Sequence, residues 1–388
     1  EATFPTRRPP ARSAVGYAFE WHGQFAPRSL HRLHDAGIRA KVTTSPLQIL
    51  TAGGEVALDR GSVLVPLGIH DQADAADIHR TLTTIARVDG IAVHALKSGL
   101  TPGGVDVGSP SIEPLEPPRP LLLVGGEVNP YEAGEVWHLL DQRHDMNVTL
   151  VDLNRFSKVD LHEFTHLLMV DGTYELPEKQ IGTIGSWIKG GGILVATKKA
   201  ARWAAEQGLS PATFEGMKQP VPADDQGDDD AGQSPPVASP EDSPAPKRRP
   251  YDQFHPDEDS RLTKGTIFAT DLDLTHPLGY GCPTAEHAVF RNSNLILHPS
   301  RNPYATVAQY TGNPLLAGYV HPENTAKIRD SAAVTAERVG EGLVVSFADN
   351  PNFRAFWTGT SRVYLNALCF GSVIEKTGAD EPDSGGHG

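Results

Sequence analysis

Short apolar runs alternate with helical patterns over residues 14–94. Ala14 to Phe19 predicts a strand, Pro27 to Ala36 a helix stopped by Gly37, Ile38 to Val42 a strand and Val63 to Leu67 another. Ala73 to Val88 predicts a helix with Ile78, Leu82 and Ile85 on one face, closed by Asp89-Gly90 before a strand over Ile91 to Ala95. Strands alternating with helices predict a mostly parallel sheet covered by helices. The run Glu113-Pro-Leu-Glu-Pro-Pro-Arg-Pro120 removes ladder donors and stiffens the chain, which places a boundary near residue 115.

The same grammar restarts beyond it. Leu121 to Val124 is a continuous apolar strand, Gly125-Gly126 a turn, and Tyr131 to Gln142 a helix with Val136, Leu139 and Leu140 inward. Strands follow at Val148 to Leu153, Leu167 to Val170 and Ile193 to Ala196, with helices at Pro177 to Lys189 and Ala200 to Glu206. Buried-type strands with helices between them predict a doubly wound, flavodoxin-like layer. Strand-like runs return at Thr266 to Ala269, Leu315 to Val320, Ala332 to Val334 and Leu343 to Phe347, before a last helix from Ser361 to Phe370. The expected organisation is therefore α/β: an N-terminal unit over residues 1–115, a second over 116–375, and a flexible tail over 376–388. Residues 220–250 are rich in Pro and Asp and lack Leu, Ile and Phe, which predicts a disordered insertion.

Composition narrows the function classes. The chain has 388 residues, 39% of them hydrophobic, and no apolar run approaching the roughly 20 residues that cross a bilayer, so membrane insertion is not expected. A formal charge of −14 repels phosphate backbones, and no basic stripe offsets it, which argues against nucleic acid. Two cysteines, Cys282 and Cys369, are too few for a disulfide framework. The chain opens at Glu1 with neither an initiator Met nor a basic-then-apolar leader, and is expected to be a piece of a longer protein.

Four arrangements suggest chemistry. His162-Glu163-Phe-Thr-His166 matches the zincin pattern, in which two His one helical turn apart hold zinc beside a general-base Glu. Here the second His leads into a strand-like run, and no third ligand follows at the usual spacings, so no metal is expected in this chain. His255-Pro-Asp-Glu258 and His31/His34 are weaker pairings, read as solvated His. A Cys282/His321/Glu323 triad would make a thiol hydrolase or amidase. Yet that chemistry needs its nucleophile on a strand-to-helix elbow, where Thr197-Lys198-Lys199-Ala200 stands and Cys282 does not. The two Lys read as a solvated helix start. Gly103-Gly104 and Gly125-Gly126 are turn glycines. Glu127, Asp171 and Asp349 fall at carboxyl ends of strands, and with Lys198 and Arg354 they outline a candidate cleft. Tyr131 and Trp137 are candidate interface anchors, with core packing the favoured use of Trp137.

Several long strings occur in order: Tyr131-Glu-Ala-Gly-Glu-Val-Trp-His-Leu-Leu-Asp-Gln-Arg143, Gly265-Thr-Ile-Phe with Leu272-Asp-Leu-Thr-His-Pro-Leu278, and Phe347-Ala-Asp-Asn-Pro-Asn-Phe-Arg354. They resemble the region C-terminal to the catalytic domain in large bacterial zinc metallocarboxypeptidases. That resemblance implies a class I glutamine amidotransferase-like domain without its nucleophile, in an accessory region of an exported enzyme. It also implies that zinc and the peptidase residues belong to a domain outside this chain, which would be the partner, with peptide as substrate.

Overall fold

The computed structural model describes residues 6–71, 74–217, 248–255, 263 and 265–377. Most of the expected insertion and of the tail lies outside these residues.

The first sheet holds β1 (Gly16–Phe19), β2 (Ala40–Thr43), β3 (Leu47–Thr51), β4 (Gly54–Leu58), β5 (Val63–Pro66), β6 (Val93–Leu96) and β7 (Ile112–Leu115), in the order β4-β3-β6-β1-β5-β2-β7. Every pairing in it is antiparallel, which corrects the expected parallel sheet. The reason is burial on both faces. Tyr17, Phe19, Val63 and Val65 pack into the main core with helices α1 (Ala26–Asp35) and α2 (Ala75–Thr84), while Ala18, Leu64, Leu47, Ile49, Leu58 and Ile112 form a second, smaller core on the other face. A strand buried on both sides loses its polar alternation and looks like a parallel one. The hairpin β3–β4 and strand β7 carry no signal strong enough to be expected.

The second sheet runs β13-β12-β14-β15-β16-β11-β10-β8-β9. Its parallel half comprises β8 (Pro120–Val124), β9 (Thr149–Asp152), β10 (His166–Met169), β11 (Ile193–Thr197) and β16 (Gly342–Phe347). Taken in chain order these stand 2-1-3-4-5, the flavodoxin-like order of a doubly wound layer. The antiparallel half adds β12 (Thr266–Leu272), β13 (Glu286–Arg291), β14 (Thr306–Ala317) and β15 (Ala332–Val339).

Among the described residues five helices serve this sheet: α3 (Pro130–Trp137), α4 (Glu178–Lys189), α5 (Lys199–Glu206), α6 (Pro322–Ile328) and α7 (Thr358–Phe370). Asn129 caps α3, its side chain accepting from the backbone N–H of Tyr131 and Glu132, with Pro130 preset for the first turn. The expected long helix is divided: α3 passes into a π-helical turn over His138–Arg143.

One continuous core spans both sheets, and α7 is its hinge pin. Phe370 packs 4.6 Å from Trp21 of the first unit and 5.8 Å from Tyr280 of the second. Gly281, at φ +71, lets the loop close on Trp21, where a Cβ would lie 2.7 Å from the indole. Trp137 keeps 38% of its surface exposed and Tyr131 83%, so Trp137 does not enter the core as favoured above. No helix among the described residues is long and apolar enough to cross a membrane.

Candidate functional site at the carboxyl ends of the parallel strands

β11 runs into Lys198, whose φ of 52° and ψ of −120° turn the chain sharply into α5. A non-glycine residue in this region costs about 1–3 kcal/mol and persists only where its surroundings hold it. Here the Lys198 N–H donates to Phe347 O at 2.8 Å, tying the elbow to the end of β16.

The side chain turns inward. Lys198 Nζ lies 2.7 Å from Glu132 Oε1 of α3 and 3.1 Å from Asp171 Oδ2, just beyond β10. The Lys199 N–H reaches the other Asp171 oxygen at 3.3 Å. Lys198 is buried and only Lys199 faces solvent, which corrects the solvated helix start expected of the pair. Burial alone would lower Lys198, but the pull of Glu132 and Asp171 outweighs it and holds the ammonium above the ordinary lysine range. Burial raises Glu132 against the opposing pull of Lys198. The result is a firmly protonated ammonium at the elbow, unable to serve as a nucleophile or base near neutral pH.

A second ionic group lies beside it. Asp349, following β16, pairs with the fully buried Arg291 at 3.2 Å and accepts from the Tyr310 hydroxyl, which also meets Arg291 at 3.0 Å. Burial raises Asp349 in spite of Arg291, and Lys198 is near enough to pull it back.

The structure therefore brings Lys198, Asp171 and Asp349 together and leaves the other two expected cleft residues outside. Glu127 is exposed, and its carbonyl accepts from Thr173 N at 3.2 Å. With the Val128–Gly172 bridge, that bond stitches shut the switch point between β8 and β10. Glu127 lines instead a polar cleft of about 360 Å³ with Asn154, Ser157 and Glu175. Arg354 is exposed at φ 50°, its N–H donating to Glu135 Oε1 and its guanidinium over Phe353. Glu132 is the functional residue that sequence reasoning misses. Three residues after a capping Asn, a Glu reads as an ordinary helix-start carboxylate.

The other motifs are dispersed. His162 sits in a 3-10 turn over Leu161–Glu163, while His166 opens β10, buried, with Nδ1 2.8 Å from Thr165 Oγ1, so the pair does not share a helix. Among the described residues no group of three or more His, Cys, Asp or Glu could hold a metal ion. Glu258 lies outside the described residues. His31 and His34 are not solvated as expected: burial lowers both, His34 to about 4. His321 caps α6, its Nδ1 accepting from Glu323 N at 3.4 Å, whereas Cys282 lines a different cavity with His22 and His287. Burial pushes the Cys282 thiol up to about 11, so the proposed triad is not assembled and its thiol is not activated.

No family model matches the chain, and no curated protein matches it. Among solved structures it is similar to a ThuA-like protein from Parabacteroides merdae, at 13% identity and a TM-score of 0.40 over 68% of this chain and 93% of that one. A candidate GMP synthase component from Thermoplasma acidophilum gives 11% identity and a TM-score of 0.36 over 65% and 94%. The exo-β-1,4-mannosidase from Opitutaceae bacterium strain TAV5 gives 14% and 0.32 over 67% and 37%. Likenesses this distant carry no argument about function; the α/β, doubly wound character of the second unit stands on its own strand order.

Proposed function

We propose that this chain is a non-catalytic accessory region that supports a zinc carboxypeptidase domain carried in the same, exported polypeptide. The observation that carries the reading is Lys198. A strand-to-helix elbow is where a doubly wound hydrolase presents its nucleophile, and here that position holds an ammonium clamped by Glu132 and Asp171. The ordered strings resembling the region that follows such peptidase domains support the same reading. Zinc would belong to the peptidase domain, and peptide would reach that domain rather than the elbow.

Docking through Tyr131 and Trp137 would use the exposed side of α3, at 83% and 38% exposure. Interfaces between domains of one chain commonly bury about 600–1,500 Å², enough to orient a partner. The test compares the full-length parent with its isolated peptidase domain for carboxypeptidase turnover and thermal stability. The expected result is a loss of one or both on removing this region, reproduced in part by Tyr131→Ala with Trp137→Ala. If neither quantity changes and the separated parts do not bind, the accessory reading fails.

A further inference from the structure

Where the loop after β2 meets the second unit lies a cavity of about 390 Å³, within the size range of small-molecule sites. Thr44 lines it from the first unit. From the second come Asp273 and Tyr280 of the turn after β12, Tyr304 of the loop before β14, Arg338 of β15, and Glu375 of the segment after α7. None of these residues belongs to the ionic cluster around Lys198.

Three features define what the lining can hold. The first is an aromatic platform. Tyr304 is 69% exposed, yet its turn is fixed: Asn302 Oδ1 accepts from Tyr304 N at 3.0 Å, Asn302 N donates to Ser300 Oγ at 3.1 Å, and Asn302 Nδ2 donates to Thr377 Oγ1 at 2.9 Å. A ring held in the open by an ordered turn offers its face to a ligand with little left to immobilise on binding. The second feature is unused acceptor capacity. Asp273 N donates to Val307 O at 2.9 Å, and its Oδ1 accepts from Thr275 N at 2.8 Å and from Thr275 Oγ1 at 2.6 Å, while Oδ2 bonds to nothing among the described residues. Glu375 is exposed and forms no hydrogen bond or ion pair among the described residues. Both carboxylates lie close to the Tyr280 hydroxyl, which donates to Thr44 O at 3.5 Å: burial pushes that hydroxyl up to about 12, and Asp273 and Glu375 add to the rise against the pull of Arg60.

The third feature is mixed charge. Arg338 is the one Lys or Arg of the lining, set against the carboxylates of Asp273 and Glu375. His276, also in the wall, adds no charge near neutral pH, since burial lowers it to about 4 and its Nδ1 accepts from Leu278 N at 3.1 Å.

We propose that this cavity binds a small neutral saccharide, one face of a pyranose ring stacked on Tyr304 and its hydroxyls donating to Asp273 and Glu375. Ionised carboxylates only accept, and hydroxyl donors give them short, charge-assisted bonds. An anionic ligand would face two carboxylates, and a cationic one would meet Arg338. A sugar carries no charge to be repelled, both donates and accepts, and has a C–H face that gives the Tyr304 ring an apolar contact. The assignment goes beyond the accessory reading and does not rest on it.

The test is saturation-transfer NMR titration of the purified chain with cellobiose, lactose and maltose, with putrescine and citrate as cationic and anionic probes. The expected result is saturable binding of at least one of the three sugars, with the strongest transfer to the C–H protons of one ring face. Glu375→Gln and Tyr304→Ala should each weaken that binding about tenfold. Both residues are exposed, so the melting temperature should stay unchanged and a loss of binding reads as a loss of contact. No saturable binding of any of the three sugars, binding untouched by both substitutions, or tighter binding of putrescine or citrate than of every sugar would each overturn the assignment.

Discussion

The indole Nε1 of Trp21 donates to Asn366 Oδ1 at 2.7 Å, joining the first unit to the core helix of the second. Asn366 is wholly buried, and its amide N–H groups donate to Leu278 O and Tyr280 O, both at 2.8 Å. Replacing it by Leu strands three buried groups, at about 1–3 kcal/mol for each. Trp21→Phe strands only one acceptor. Asn366→Leu should therefore be the more damaging change in urea titrations, with the double variant falling short of the sum. Because the core is shared, circular dichroism and tryptophan fluorescence should report one coincident unfolding transition; two separate transitions would show that the units fold independently.

Removing Lys198 tests whether the elbow is held by its ion pairs. Lys198→Met leaves Glu132 and Asp171 facing each other without a cation, a loss of about 3–5 kcal/mol for a buried pair. Glu132 is already raised by burial, so its proton is bound more tightly in the folded state than in the unfolded one. Its contribution to stability is therefore greatest at low pH and is lost as pH rises through its folded value. The deficit of Lys198→Met should accordingly be smaller at pH 5 than at pH 8. Adding Glu132→Gln and Asp171→Asn should recover much of it; no recovery would mean that packing, not charge, holds Lys198.

Buried histidines set the acid limit. Burial lowers His166 to about 4 and His144 to about 3, from an ordinary 6.5, with Arg362 pushing His144 further. Between those values and 6.5 the unfolded chain takes up protons that the folded chain refuses. Stability should be level above about pH 6.5 and fall below it, by up to about 1.4 kcal/mol per pH unit for each group. His144→Phe, which can keep the edge contact with Phe25, should make that fall shallower. An unchanged slope in pH-dependent denaturation would show that other groups set the limit.

The thiols should be slow. Cys282 is pushed up to about 11 and Cys369 to about 12, each chiefly by burial. At neutral pH the Cys282 thiolate population is about a hundredfold below that of a thiol at its ordinary value. Iodoacetamide should label the native chain slowly, with a rate rising about tenfold per pH unit through the alkaline range. Rapid labelling at pH 7, or ammonia release from glutamine abolished by Cys282→Ser, would restore the amidase reading.

The parallel half of the second sheet is legible in the sequence because its strands are short, unbroken apolar runs such as Leu121 to Val124, bounded by glycines and separated by helices with a clear inner face. β13 is harder to see, since Glu286, His287 and Arg291 give it a polar character that only Arg291's burial against Asp349 and Tyr310 explains. β14 begins at Thr306, ahead of its apolar stretch, and its pairing shifts register twice against β12. At the site, Asp171 and Asp349 are readable from their places after strands. The burial of Lys198 is not, because its partner Glu132 lies 66 residues away and no local pattern links them.

The placement of β16 governs how the chain must assemble. Ile193 of β11 stands beside His166 of β10 on one side, but on the other its neighbour is Leu343, so the centre of the second sheet cannot close until nearly the whole chain is available. Until then β11 exposes a fully apolar edge, Ile193 to Ala196, to any other strand in reach. Such long-range parallel pairing forms slowly and lengthens the interval in which that edge is open. Refolding yield should depend steeply on protein concentration, and a chain truncated before Gly342 should aggregate rather than stop at a smaller folded state.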